Sequence, residues 1–137
     1  MQLKNTAGNI QQPVWTEDTI SYYLKKTYLK TASLISKSCR GAALLGHSAP
    51  DVVESAYMYG KNIGLAFQLV DDMLDYTVAS SELGKPAGVD LELGLATAPL
   101  LFAWKDHAEL GALVGRNFSQ EGDVKTVSTD RLVLTVS

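Results

Sequence analysis

Between residues 51 and 77, Val52, Val53, Ala56, Tyr57, Ile63, Phe67, Val70 and Leu74 recur mostly at gaps of three and four. That period predicts a long helix with one apolar stripe, and no proline interrupts it between Pro50 and Pro86. At about 1.5 Å per residue it would reach roughly 40 Å. A second long helix is predicted upstream, from Thr16 as N-cap to about Leu45 with Gly46 at its close. Glu17 and Asp18 occupy its first turn, where the helix dipole favours acids, and Ile20, Tyr23, Leu24, Tyr28, Leu34 and Ile35 form its buried side. His47 to Pro50 reads as a turn that leaves His47 exposed. Ser80, Ser81, Gly84, Pro86 and Gly88 make Val78 to Asp90 a loop. Asp90 then caps a helix from Leu91 to about Trp104, kinked at Pro99, with a short helix from about Ala108 to Arg116 behind it. Val124 to Ser137 is rich in Val and Thr without a helical period, which predicts strand or coil. The pattern therefore divides into an irregular lead-in (1–15), an all-α domain (16–123) and a divergent tail (124–137).

Polar residues break the long stripe at one place. Gln68, Asp71, Asp72 and Asp75 stand three, four and seven residues apart, so they project from adjoining turns of one helix face. Three neighbouring carboxylates repel one another, and a divalent cation reverses that sign. Mg²⁺ in particular takes one or two carboxylates together with waters and phosphate oxygens. The plain alternative is a solvated acidic face. Against it, the acids interrupt an apolar helix and follow Gly60 and Gly64, which would let a neighbouring helix approach closely. On the upstream helix, Lys26 and Lys30, and Thr27 and Thr31, are each one turn apart, a strip of ammonium and hydroxyl donors suited to phosphate. Lys85, between Gly84 and Pro86 in the loop, either covers a bound anion beside the carboxylates or is an ordinary exposed lysine.

Composition narrows the classes. The 137 residues suffice for one domain, and a net charge of −3 with no basic run excludes nucleic acid as the expected partner. A single cysteine, Cys39, excludes an internal disulfide and reads as a small core residue. No apolar run approaches the ~20 residues of a membrane span, so no transmembrane segment is expected. The first fifteen residues hold one lysine and no arginine, unlike a secretory signal or a transit peptide.

Four ordered blocks carry a resemblance. They are Tyr-Leu-Lys-Thr-Ala-Ser-Leu-Ile (28–35), the run from Tyr59 through Phe67-Gln68-Leu69-Val70-Asp71-Asp72 to Asp75, Gly-Lys-Pro-Ala-Gly-Val-Asp-Leu (84–91), and Gly-Leu-Ala-Thr-Ala-Pro-Leu-Leu-Phe-Ala (94–103). Together, over about Tyr22 to Val124, they resemble the trans-polyprenyl diphosphate synthases, most closely the long-chain solanesyl and decaprenyl type that makes the ubiquinone side chain. The resemblance implies part of the helical isoprenoid synthase fold and condensation of an allylic prenyl diphosphate with isopentenyl diphosphate. It implies Mg²⁺ on Asp71, Asp72 and Asp75, and a catalytic, diphosphate-binding set of Lys30, Thr31, Gln68 and Lys85. It also implies a homo- or hetero-oligomer with a synthase subunit and a mitochondrial location. These residues contain no other DDxxD, and their only arginines are Arg40, Arg116 and Arg131. The expectation is therefore the C-terminal part of a synthase, unable to elongate a prenyl chain alone, or else a non-catalytic subunit or truncated isoform that pairs with a longer synthase chain.

Overall fold

The computed structural model describes residues 12–77 and 89–129, and every regular element among them is helical. The all-α expectation holds. The chain forms two compact units, one spanning Ser21–Asp71 and the other joining Met1–Ile20 to Asp72–Ser137.

The helix α1, Glu17–Thr27, starts where the pattern put it. The Thr16 N–H donates to the Thr19 hydroxyl at 3.1 Å, and Glu17 and Asp18 fill the first turn. Tyr28–Ala32 then forms a π-turn, in which the Ser33 N–H reaches back to the Tyr28 carbonyl. Helix α2, Ser33–Leu45, ends at Gly46, and it is His47, with φ 53°, that takes the left-handed position. His47 is exposed, as expected. The turn is closed by the Ser48 N–H on the Ala43 carbonyl at 3.1 Å. Helix α3, Pro50–Thr77, is 28 residues long, about 42 Å. Asp71 ends one unit and Asp72 begins the other, so α3 contributes to both.

Within Ser21–Asp71 the helices meet through small residues. A Cβ at Gly64 would lie 2.7 Å from the Ala32 Cα, and one at Gly60 2.8 Å from the Ser36 Cα. Ala32 and Ser36 are fully buried, with Tyr23 and Thr27 continuing the line in α1. Cys39, half-buried, has its Sγ 2.9 Å from where a Gly60 Cβ would stand. Tyr28 and Tyr57 share a hydrogen bond between hydroxyls at 2.8 Å. Arg40 lies 4.0 Å over the Tyr57 ring and pairs with Glu54. The large apolar positions fare differently from expectation. Leu24 and Leu34 are exposed rather than buried, and so are Val52, Ile63, Phe67 and Val70 of the α3 stripe. The period correctly marked the helices, but the closest approach uses glycine, alanine and serine, which leaves bulky neighbours outside the seam.

The other unit has its core in Leu91, Leu100, Leu101, Trp104, Leu110, Phe118 and Val127. Residues 12–16 are irregular and tied down: the Trp15 indole N–H donates to the Leu101 carbonyl at 3.0 Å, and the Pro13 carbonyl sits where a Gly111 Cβ would fall 2.7 Å from it. The predicted helix from Leu91 to Trp104 is corrected to two pieces, α4 at Val89–Glu92 and α5 at Ala98–Asp106. The chain leaves α4 through Gly94 at φ 74° and re-enters from extended Thr97. Pro99 falls in the first turn of α5, where its missing N–H costs no helical bond, so it starts the helix instead of kinking it. Helix α6, Leu110–Gly115, follows, and then α7, Asp123–Thr129.

Helix α7 corrects the strand-or-coil expectation for the start of the tail. Gly122, at φ 93°, offers its carbonyl to the Thr126 N–H at 2.8 Å, and Val127 is buried. Burial of that valine outweighs the β preference of the run. Arg116 fixes the helix start through two bonds to Asp123, at 2.8 and 2.6 Å. Residues 130–137 lie outside the described residues. Among the described residues no helix is long and apolar enough to cross a membrane.

Candidate functional site

The expected site residues that are described fall on two elements, and each unit holds its own share. In Ser21–Asp71 the π-turn carries Lys30 and Thr31. Lys30 is exposed and Thr31 half-buried. The Thr31 hydroxyl donates to Gln68 Oε1 at 3.0 Å, and Gln68 Nε2 donates to Asp71 Oδ2 at 3.3 Å. A hydroxyl, an amide and a carboxylate are thus joined in one direction. This chain of bonds holds the Gln68 amide in one orientation and holds Asp71 against it. The close packing at Gly64 and Ala32 brings Thr31 within reach of Gln68.

In the other unit, Asp72 and Asp75 occupy the last turns of α3. They are only 4% and 3% exposed, so the plain alternative of a solvated acidic face does not describe these two. Asp75 Oδ2 accepts the Asp90 backbone N–H at 3.2 Å, the bond that ties the start of α4 to α3. Asp75 Oδ1 is buried and has no hydrogen-bond partner among the described residues. Beside it, Tyr76 accepts a bond from the Thr97 hydroxyl at 3.4 Å. Burial pushes the Tyr76 phenol well above the usual tyrosine value, and the carboxylates of Asp90, Asp75 and Asp72 add to the shift. Tyr76 is therefore a neutral hydroxyl at physiological pH. Lys85 lies outside the described residues.

Sequence reasoning missed Asp90 and Tyr76 as members of this cluster. The sequence offers Asp90 only as a helix cap, although it stands in the Gly-Val-Asp-Leu block that supports the resemblance. Tyr76 directly follows the aspartate motif, and nothing in its spacing sets it apart from an ordinary core tyrosine.

Whether the donor set suits a cation can be judged on these atoms. A buried carboxylate oxygen without a donor is costly, and a cation satisfies it. No group of three or more His, Cys, Asp or Glu side chains converges into a ready-made metal cage among the described residues. Mg²⁺ does not ask for one, since it keeps waters and completes its shell with phosphate oxygens. The chemistry of the donors fits.

A family-wide sequence description, Polyprenyl synthetase, matches residues 1–130. The chain belongs to this family. The match reaches past the blocks quoted above at both ends, and it takes in α7. A probable mitochondrial hexaprenyl pyrophosphate synthase of Neurospora crassa is 72% identical over 123 residues, covering 90% of this chain and 27% of that one. The mitochondrial hexaprenyl pyrophosphate synthase of Saccharomyces cerevisiae is 59% identical over 117 residues, covering 85% and 25%. The chain thus spans about a quarter of the length of these relatives. The crystal structure of heptaprenyl diphosphate synthase from Staphylococcus aureus superposes with a TM-score of 0.73 at 30% identity, over 85% of this chain and 39% of that one. The helices described above are therefore part of the isoprenoid synthase fold of this family.

Proposed function

We propose that this chain is the diphosphate-binding part of a long-chain trans-prenyltransferase of ubiquinone side-chain synthesis, acting in mitochondria. The observation that carries the reading is the bonded series Thr31–Gln68–Asp71 in a member of this family. The mitochondrial names of the similar fungal proteins support the location. The reaction joins an allylic diphosphate to isopentenyl diphosphate by ionising the allylic C–O bond. The carboxylates of Asp71, Asp72 and Asp75 would hold Mg²⁺, which supplies positive charge to the departing diphosphate. Lys30 and Lys85 would donate to the diphosphate oxygens; the Thr31 hydroxyl, whose one O–H goes to Gln68, holds that amide instead, and Gln68 fixes Asp71. Charge placed in advance where negative charge develops lowers the barrier without a protein nucleophile.

Elongation also needs a second substrate aligned with the allylic carbon. These 137 residues carry one DDxxD motif. By themselves they bind one diphosphate and do not elongate. Calorimetric titration with Mg²⁺ and inorganic diphosphate tests the first statement: binding is expected in the wild type and absent when Asp71, Asp72 and Asp75 are all changed to Asn. Binding that survives the triple change would overturn it. Radiolabelled isopentenyl diphosphate with an allylic primer tests the second, and any longer prenyl product would refute it.

A second reading, an interaction subunit for a longer synthase chain, is favoured by one observation. Tyr22, Leu29, Leu34 and Phe67 stand exposed on the unit Ser21–Asp71. Those apolar side chains suit cover by helices of a partner synthase. Co-purification with a full-length synthase, compared between the wild type and a Leu34→Glu, Phe67→Glu double variant, would reveal such pairing.

A further inference from the structure

The residues buried along the first helical arm are Tyr23, Thr27, Ala32 and Ser36, in steps of four, five and four. In a regular α-helix a step of five overshoots a full turn by about 140°. Thr27 and Ala32 would then face nearly opposite ways, and both could not be buried. The π-turn at Tyr28–Ala32 takes up the surplus residue. The turn is provided for in detail. The Ser33 N–H goes to the Tyr28 carbonyl, and the Ser33 hydroxyl donates at 3.1 Å to the Leu29 carbonyl, the acceptor that a regular helix would give to the Ser33 N–H. From within the widened turn two hydrogen bonds reach α3: Tyr28 to Tyr57 at 2.8 Å and Thr31 to Gln68 at 3.0 Å.

We infer that this π-turn is a positioning device: its extra residue sets Thr31 against Gln68, and through Gln68 orients Asp71. The inference rests on the diphosphate-site reading for its purpose, but the placement itself is a matter of register. Leu29, which is exposed, is the residue to remove. Deleting it puts Ala32 four residues after Thr27, so the buried line runs in uniform steps of four on one α-helical face. The fold keeps its seam, and what changes is how Thr31 stands beside it. Leu29→Ala keeps the register and serves as the control.

The test uses the whole chain with ¹⁵N-labelled glutamine, reading the Gln68 side-chain amide by NMR beside a thermal melt. In the Leu29 deletion the melt is expected to stay cooperative, and the Gln68 amide signal to move as it does in Thr31→Val. In Leu29→Ala and Thr31→Ser it should remain at the wild-type position. Affinity for Mg²⁺ with inorganic diphosphate should fall about ten- to hundredfold in the deletion and in Thr31→Val, the range for outer partners of a metal ligand, and Thr31→Ser should restore it. A Gln68 signal unmoved by the deletion overturns the inference. Should the deletion fail to fold, the Thr31 pair decides: equal affinity in Thr31→Val and wild type overturns it, and loss with rescue by serine supports it. A wild-type chain that ignores Mg²⁺-diphosphate while its Gln68 signal still responds to the deletion refutes the diphosphate reading alone.

Discussion

At Asp75 one carboxylate oxygen is engaged by the Asp90 N–H and the other is buried without a partner among the described residues. A charge held this way serves the fold poorly, because one hydrogen bond offsets only part of its desolvation. Asp75→Asn keeps an acceptor for Asp90 and removes the charge. We expect its melting temperature to equal or exceed that of the wild type, while affinity for Mg²⁺-diphosphate drops about tenfold, or about 1.4 kcal/mol. Calorimetry beside a thermal melt checks both halves, and a melt lowered by several degrees would show that the charge supports the fold. Asp123 is the opposite case. The two bonds from Arg116 hold its carboxyl below the usual aspartate range. A carboxyl depressed in the folded state stabilises fully above its unfolded pKa, about 3.9, and that stability is lost as pH falls through the folded value. Asp123→Asn should therefore melt several degrees lower at pH 7 and lose less on acidification to pH 3. Parallel wild-type and variant curves over that range would remove the pair from the account of acid stability.

Among the elements, α3 shows what the sequence pattern could and could not convey. Its extent, its glycines and its acids were legible, because each depends on spacing within one helix. Gly60 and Gly64 were read as places of close approach, and the Ser36 and Ala32 backbones lie there. The bulky positions Phe67, Ile63 and Val70 misled because a hydrophobic period identifies a face without saying what covers it. The step of five between Thr27 and Ala32 was illegible for a related reason: a period of 3.6 makes no allowance for a π-turn. Pro99 misled because proline fits an N-terminal turn as well as it disrupts a helix interior, and only the left-handed Gly94 upstream decides between them. The seam itself yields a prediction. An alanine at position 64 would meet backbone at 2.7 Å, which cannot yield as a side chain can. Overpacking costs about 1–3 kcal/mol, and about 2–3 where the neighbour is backbone, against about 1 kcal/mol gained in helix propensity. Gly64→Ala should destabilise by on the order of 1–2 kcal/mol and weaken the Thr31–Gln68 bond, measured by urea titration and by the Gln68 amide signal. An alanine variant as stable as the wild type would mean that the helices separate at no cost.

For the molecule as a whole, a ligand bound only by the folded chain must raise its stability. Inorganic diphosphate with Mg²⁺ at one hundred times its dissociation constant should add about 2.7 kcal/mol, seen as a later melt that Mg²⁺ or diphosphate alone does not produce. An unchanged melt at saturating concentrations would contradict a site formed by the folded state. The optical means of following such melts are unequally distributed. Trp15, bonded to the Leu101 carbonyl with Lys105 5.6 Å over its ring, and the buried Trp104 both belong to the unit that contains α4 to α7. They are the chain's two tryptophans. Indole emission therefore reports on that unit alone, while far-ultraviolet dichroism is weighted toward α1, α2 and α3. A Mg²⁺-diphosphate shift present in the dichroism melt and absent from the fluorescence melt would confine the stabilisation to the unit of Thr31, Gln68 and Asp71, and would count against the part proposed for Asp72 and Asp75, without any mutation.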